Sequence, residues 1–228
     1  MARIKNISKN LNAFLDMLGW SEGTITSELT KNDGYDVIVT GLSIDGFKTP
    51  EVFTDYRHHP FVNRSPKRIN KKGLYSSASG RYQHMRIHWE HYRDLLKLPD
   101  FGPESQDKWV IQLIRERKAL VLIEAGKIEQ AIDAVSNLWA SLPGANYKDQ
   151  SMHSIDKLKD IYLIKGGKLW ESKQSLPESL PQSSQSLPPL KSVELKPNPK
   201  PIQTTELNQT ISKPLGFWNQ ILKLLKPK

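Results

Sequence analysis

Cysteine is absent from the chain, which excludes a disulfide framework, Cys-ligated zinc, iron–sulfur clusters and thiol catalysis. Also absent is any apolar run approaching the roughly 18 residues of a membrane span. The first 18 residues interrupt their apolar positions with Lys, Asn and Asp too often for a signal-peptide core. The expectation is a soluble protein made in the cytoplasm, whose place of action is a separate matter. No helix-turn-helix, zinc-finger or RRM signature occurs, so no specific nucleic-acid partner is expected. No metal or other cofactor is expected either. The sequence has no HExxH motif, and His84, His88 and His91 share a helical face that reads as a polar surface opposite Met85, Trp89, Tyr92 and Leu96. His58 and His59 stand together before Pro60, and His153 is isolated.

What the chain does have is 37% apolar residues, six Trp and seven Tyr in 228 positions. That is enough to bury a core and to exclude a wholly disordered protein. Its 15 Pro are too many for one packed body unless they gather, and they do. Residues 175–213 hold 7 Pro, 7 Ser and 4 Gln with no aromatic residue, and repeat Ser-Leu-Pro at 175, 179 and 186. Such a segment reads as a flexible or partly polyproline linker. Charge divides in the same way. Residues 1–165 carry 24 Lys and Arg against 20 Asp and Glu, whereas residues 166–228 carry 9 Lys against 4 Glu, for +9 in all. The excess fits an anionic partner without naming one.

Apolar residues recur at helical spacing in five places. These are Leu11, Phe14, Leu15 and Leu18; Met85, Trp89, Tyr92 and Leu96; Trp109, Val110, Leu113 and Ile114; Ile128, Ile132, Val135 and Trp139; and Ile155, Leu158 and Ile161. Between the first two, residues 35–40 are rich in β-branched side chains, Asp45-Gly46 signals a turn, and residues 51–56 read as the returning strand. The fold class is α+β: a mostly helical domain with a small antiparallel hairpin or sheet. Its expected extent is residues 1–165, followed by a linker over 166–213.

Helical phase singles out Glu22. At about 100° per residue from Leu11, the apolar Phe14, Leu15 and Leu18 fall within about 60° of it, and Glu22 falls at about 20°. A carboxyl group is thus aimed toward the core. It also sits in the last turn, ahead of Gly23 as a C-cap, where the carbonyl end of a helix disfavours negative charge. Desolvation and the helix end both favour the neutral acid, the state that can protonate a glycosidic oxygen near neutral pH. The competing reading is a helix that stops earlier and releases Glu22 into solvent. Asp33, Asp36 and Asp55 lie in or beside the hairpin, where carboxylates are commonly solvated or cap local backbone, and no spacing marks one of them as a second catalytic group.

Two further stretches carry chemistry. Residues 64–72, RSPKRINKK, hold five cations in nine positions and read as a solvated loop or as a contact for an anionic polymer. Residues 76–85, SSASGRYQHM, pair small residues with Arg81, Tyr82 and Gln83, a turn that offers a sugar both donors and acceptors.

Taken together, the blocks AFLDMLGWSEGT at 13–24, GYDVIVTG at 34–41, VFTDYRHHP at 52–60, SASGRYQHM at 77–85 and SNLWASLPGANY at 136–147 resemble the bacteriophage lambda endolysin family. The resemblance implies a lysozyme-like fold and a lytic transglycosylase. Such enzymes cleave the β-1,4 bond between N-acetylmuramic acid and N-acetylglucosamine in peptidoglycan and leave 1,6-anhydromuramic ends. It also implies that Glu22 is the catalytic acid and base, and that Gly80, Tyr82, Gln83, Asp55, Tyr56 and Tyr147 meet the glycan strand. The resemblance further implies that the chain, a monomer, acts on the wall after reaching the periplasm. Hydrolytic muramidase is the alternative chemistry, and a non-enzymatic wall-binding module the alternative class. Residues 42–51 make a longer connection between two of the blocks than the compact family pattern has, extending a lip of the sugar cleft.

Residues 214–228 lie beyond the resemblance. Phe217, Trp218, Ile221, Leu222, Leu224 and Leu225 fall within an arc of about 160°, opposite Asn219, Gln220, Lys223 and Lys226. The expectation is a basic amphipathic helix that lays Phe217, Trp218, Ile221, Leu222 and Leu225 into an anionic membrane or outer-envelope lipid while Lys223 and Lys226 approach the phosphates.

Overall fold

The computed structural model describes residues 1–145 and 152–171. Tyr147, the linker of residues 175–213 and the helix expected over residues 214–228 lie outside the described residues.

The first apolar stripe forms helix α1, Lys9–Ser21. Ser8 caps it by accepting from the Leu11 N–H at 3.0 Å, which satisfies one of the free amides of the first turn. Leu11, Phe14, Leu15 and Leu18 are buried, as their spacing predicts. They meet side chains from α3 (Pro103–Glu116), α4 (Leu120–Glu124), α5 (Ile128–Val135) and α6 (Ile155–Ile164). Each such aliphatic or aromatic side chain contributes about 1.5–3 kcal/mol on leaving water, and α1 runs through the middle of them. A second core lies under the β region, where Ile38, Phe53 and Phe61 pack against Trp89, Tyr92, Phe101 and Trp109.

Two helices are shorter than their stripes. A 3-10 turn at Arg86–His88 precedes α2, Trp89–Leu96, so Met85 stays outside the helix. This turn changes the phase. His84 does not share a face with His88 and His91; it is buried and stacked on Trp109 at 4.1 Å between ring centroids. Burial drives its pKa down to about 3. The polar face expected of the three histidines is therefore not what the structure has. Helix α5 stops at Val135, where the Ser136 hydroxyl donates back to the Asp133 carbonyl at 2.9 Å. Trp139 is still buried, its indole N–H donating to the Tyr82 carbonyl at 3.0 Å.

Strand β1, Val37–Leu42, pairs antiparallel with β2, Lys48–Val52, in the register Val37 to Val52, Ile38 to Glu51, Gly41 to Thr49 and Leu42 to Lys48. One extra β1 residue between Ile38 and Gly41 makes a bulge. The returning strand begins three residues earlier than expected because the turn at Asp45-Gly46 is tight. Gly46 adopts φ +86°, and the Ser43 N–H donates to the Phe47 carbonyl at 2.9 Å, so pairing resumes at once. A last bond, from the Phe53 N–H to the Asp36 carbonyl at 2.8 Å, continues the register; Phe53 enters the second core, and residues 54–56 lie outside the strand. A shorter pair, β3 (Lys67–Arg68) and β4 (Tyr75–Ser76), stands beside this hairpin.

The basic run is not simply a solvated loop. Arg64 and Lys67 pair with Glu51 at 2.5 and 3.0 Å, and these bonds, Arg64 foremost, hold its carboxyl down to about 2. Packing also continues past Lys165, the expected domain edge. Lys168 donates to the Asn10 side chain at 2.9 Å and Trp170 to the Gly126 carbonyl at 3.0 Å. Gly126, at φ +74°, lets residues 168–170 cross so closely that a Cβ there would collide with the Lys168 carbonyl.

Candidate active site

Glu22 is the C-cap of α1. Its N–H donates to the Leu18 carbonyl at 3.0 Å, and Gly23 at φ +70° turns the chain away in the left-handed conformation that an L side chain resists. The helix therefore ends where the phase argument needs it to, and Glu22 is half-buried instead of released into solvent. Its side chain enters an open cleft of about 740 Å³. One wall is the end of α1 with Thr24, the second is β1 with the β3–β4 turn, and the third is Gln83 with Ala140 and Ser141.

Among the described residues, Glu22 is the only charged side chain that lines this cleft. Burial raises its pKa from 4.5 to about 7, against the opposing hydrogen bond from Ser141. The Ser141 hydroxyl lies 2.5 Å from Glu22 Oε1 and 3.2 Å from the Ser21 hydroxyl. Behind it, His153 Nε2 lies 3.2 Å from the Ser21 carbonyl, while the His153 N–H donates to the Ser141 carbonyl at 3.0 Å. His153 thus ties the loop bearing Ser141 to the end of α1. Sequence reading missed both residues. Ser141 lies inside the block at 136–147, where the resemblance points to Tyr147 instead; a lone His has no spacing that marks it.

Of the other expected site residues that are described, Gln83 alone lines the cleft. It sits at φ +50° and donates from Nε2 to the Gly80 carbonyl at 3.0 Å. Gly80 is required for packing: at φ +79°, a Cβ would collide with the Gln106 amide. Tyr82 is fully buried and donates to Asp107 Oδ1 at 2.7 Å, an acceptor shared with the Tyr35 hydroxyl at 2.8 Å. Asp55 is exposed and paired with Arg57 at 2.6 Å. The Tyr56 hydroxyl accepts from Asn32 at 2.8 Å and its carbonyl from the Phe101 N–H at 2.7 Å. Gly80, Tyr82, Asp55 and Tyr56 therefore support the cleft or flank it without lining it. Asp36 accepts from the Lys31 N–H at 2.7 Å and Asp33 pairs with Arg81 at 3.0 Å, and neither lines the cleft beside Glu22.

The sequence profile of the endolysin family matches residues 12–169. The chain belongs to the endolysin family. It is 56% identical over 163 residues to the endolysin of Escherichia phage P2, covering 71% of this chain and 96% of that one. Against the endolysin of Escherichia phage lambda it is 47% identical over 168 residues, with 72% and 96% covered. The fold is similar to that of bacteriophage lambda lysozyme solved in complex with a chitohexasaccharide, with a TM-score of 0.63 at 46% identity over 73% of this chain and 99% of the other. A second structure of lambda lysozyme gives 0.60 at 44% identity, with the same coverage. The lysozyme-like α+β class expected of residues 1–165 is thereby met. The match ends at residue 169. Among the described residues no helix is long and apolar enough to cross a membrane.

Proposed function

We propose that this endolysin cleaves the β-1,4 bond between N-acetylmuramic acid and N-acetylglucosamine by transglycosylation, with Glu22 acting first as acid and then as base. As a family member the chain is an enzyme that degrades peptidoglycan; the proposal concerns how the bond is cut. The observation that carries it is the isolation of Glu22: one carboxyl group with a pKa near 7 and no second carboxylate among the described residues of the cleft. Glycosidases that use external water ordinarily need a pair, one acid and one base or nucleophile. A lone carboxyl group suffices when the nucleophile is already part of the substrate. Protonated Glu22 donates to the glycosidic oxygen as the C1–O bond breaks. The C6 hydroxyl of the same muramic residue then forms the new bond to C1 and gives its proton to the Glu22 carboxylate. Proximity replaces a captured water. That the lambda lysozyme was solved with a chitohexasaccharide supports a β-1,4-linked glycan strand as the occupant of the cleft.

The products decide the chemistry. Purified chain acting on sacculi is expected to release muropeptides that mass spectrometry finds one water lighter per cut than hydrolysis would give. Reducing muramic ends as the only product would replace this reading with a hydrolytic muramidase.

Residues 214–228 carry a separate proposal, resting on the apolar arc and its lysines: they hold the enzyme to anionic lipid while residues 1–171 work on the wall. Deleting them is expected to abolish salt-sensitive binding to phosphatidylglycerol vesicles and to leave cleavage of exposed peptidoglycan nearly unchanged. Equal vesicle binding by the shortened chain would remove the lipid role, and loss of wall cleavage would indicate docking onto the catalytic body instead.

A further inference from the structure

The cleft and its rim differ in chemistry. Inside, Glu22 is the sole charge among the described lining residues. At the rim, the turns of the two hairpins stand side by side and are fastened together. The Arg68 guanidinium donates to the Ser43 and Ile44 carbonyls, and the Lys67 ammonium donates to the Thr49 carbonyl at 2.6 Å. Each turn is also closed on itself, through the Ser43 to Phe47 bond already described and through bonds from Ile69 N–H to the Leu74 carbonyl at 2.7 Å and from Leu74 N–H to Asn70 Oδ1 at 3.0 Å.

These bonds occupy Lys67 and Arg68, Arg64 is paired with Glu51, and Lys48 and Lys71 are exposed. Lys71 reaches across to the first turn, where a Cβ on Gly46 would lie 3.6 Å from Lys71 Cε. On the first turn Ile44 is 91% and Phe47 73% exposed. Large apolar side chains held out on a hydrogen-bonded turn mark a contact surface more than a slack loop does. Asp45 is the one carboxylate on either turn. The rim is continuous with the cleft, because the β3–β4 turn supplies Ile69, Asn70 and Leu74 to its wall.

A ligand seated here meets a neutral groove, and whatever projects from it meets cations and apolar side chains. Peptidoglycan is divided in the same way: its sugars are neutral, while the short peptides on the muramic lactyl groups carry free carboxylates and methyl side chains. We propose that the paired hairpin turns, through Lys48, Lys71, Ile44 and Phe47, receive the acidic stem peptide of the glycan strand that lies in the cleft. The inference rests on the glycan reading of the cleft and adds the part of the polymer that the rim reads.

The test compares two polymers on the full chain, with Glu22→Gln in the background to slow cutting during the measurement. One is intact sacculi; the other is the same glycan stripped of its peptides by an amidase. Lys48→Glu with Lys71→Glu is expected to weaken binding to intact sacculi about tenfold, the size of two reversed exposed charge contacts, and to leave binding to stripped strands within about twofold. Added salt should narrow the difference. Ile44→Ser with Phe47→Ser should act in the same direction without the salt dependence. All four side chains are exposed, and unchanged thermal unfolding would confirm that the variants fold. Equal weakening on both polymers, or none on intact sacculi, would overturn the proposal. So would loss confined to phosphatidylglycerol vesicles, which would assign the rim to lipid. Failure of the parent to bind stripped strands would count against the glycan reading itself, whereas failure of the variants to discriminate counts against the rim alone.

Discussion

Glu22→Gln is expected to lower the rate of wall cleavage by roughly 10²–10⁴-fold, the usual contribution of general acid–base catalysis, while leaving attachment to the wall intact. The amide keeps the size of the side chain and removes its exchangeable acid proton. In the parent, the acid form is the one that works on the leaving oxygen, so kcat/KM should fall as pH rises through about 7, where Glu22 loses its proton. The same pKa shift predicts an effect on stability. The folded chain holds this proton more tightly than the unfolded chain, whose carboxyl titrates at 4.5. The stability that proton contributes is complete below 4.5 and lost as pH rises through about 7. The Gln variant has no such loss. It should therefore match the parent in denaturant unfolding at pH 4 and exceed it at pH 8 by about 1–3 kcal/mol. A variant that is inactive yet more stable at alkaline pH would separate a chemical role from a folding role. Near-parental turnover would end the acid assignment, and lower stability at both pH values would turn Glu22 into a packing residue.

The position of Glu22 was legible in the sequence because two local signals agree there: a stripe that places it among Leu11, Phe14, Leu15 and Leu18, and a glycine that ends the helix one residue later. Local signals of that kind survive folding because they concern one helix turn. The internal contacts of the turn at residues 77–85 were not legible, for the converse reason. Nothing local distinguishes a tyrosine that faces a sugar from one that donates to Asp107, 25 residues on. Gly80 likewise answers to the Gln106 side chain, a neighbour in space and not in sequence. The basic run at residues 64–72 divides by the same logic, since only the fold brings Glu51 and the Ser43 carbonyl to Arg64, Lys67 and Arg68. His153 is the limiting case: its two bonds reach Ser21 and Ser141, and a single residue carries no period.

Arg81 is where such long-range contacts have their largest energetic consequence. It lies in the turn read as offering donors and acceptors to a sugar, and its side chain is fully buried and paired with buried Asp16 on α1 at 2.6 Å. Its N–H donates to the Gln106 side chain at 2.9 Å, and its carbonyl accepts from the Thr24 hydroxyl at 2.7 Å. Through these bonds Arg81 fastens the helix that carries Glu22 to the turn that carries Gln83. Arg81→Ala is expected to destabilise the fold by about 3–5 kcal/mol, because buried Asp16 keeps as counter-charge only the N-terminal ammonium, at 3.6 Å. In a chain of this size that lowers the unfolding midpoint on the order of 10 °C. Asp16→Asn in the same chain should recover part of the loss, since a neutral amide needs no counter-charge. Turnover measured well below the unfolding transition should change far less than in Glu22→Gln, because Arg81 positions the walls and does not touch the reacting atoms. Calorimetry of the two variants, with cleavage assayed at low temperature, checks both halves. A midpoint within about 2 °C of the parent, the size expected of an exposed ion pair, would show that the Arg81–Asp16 pair does not hold the cleft together.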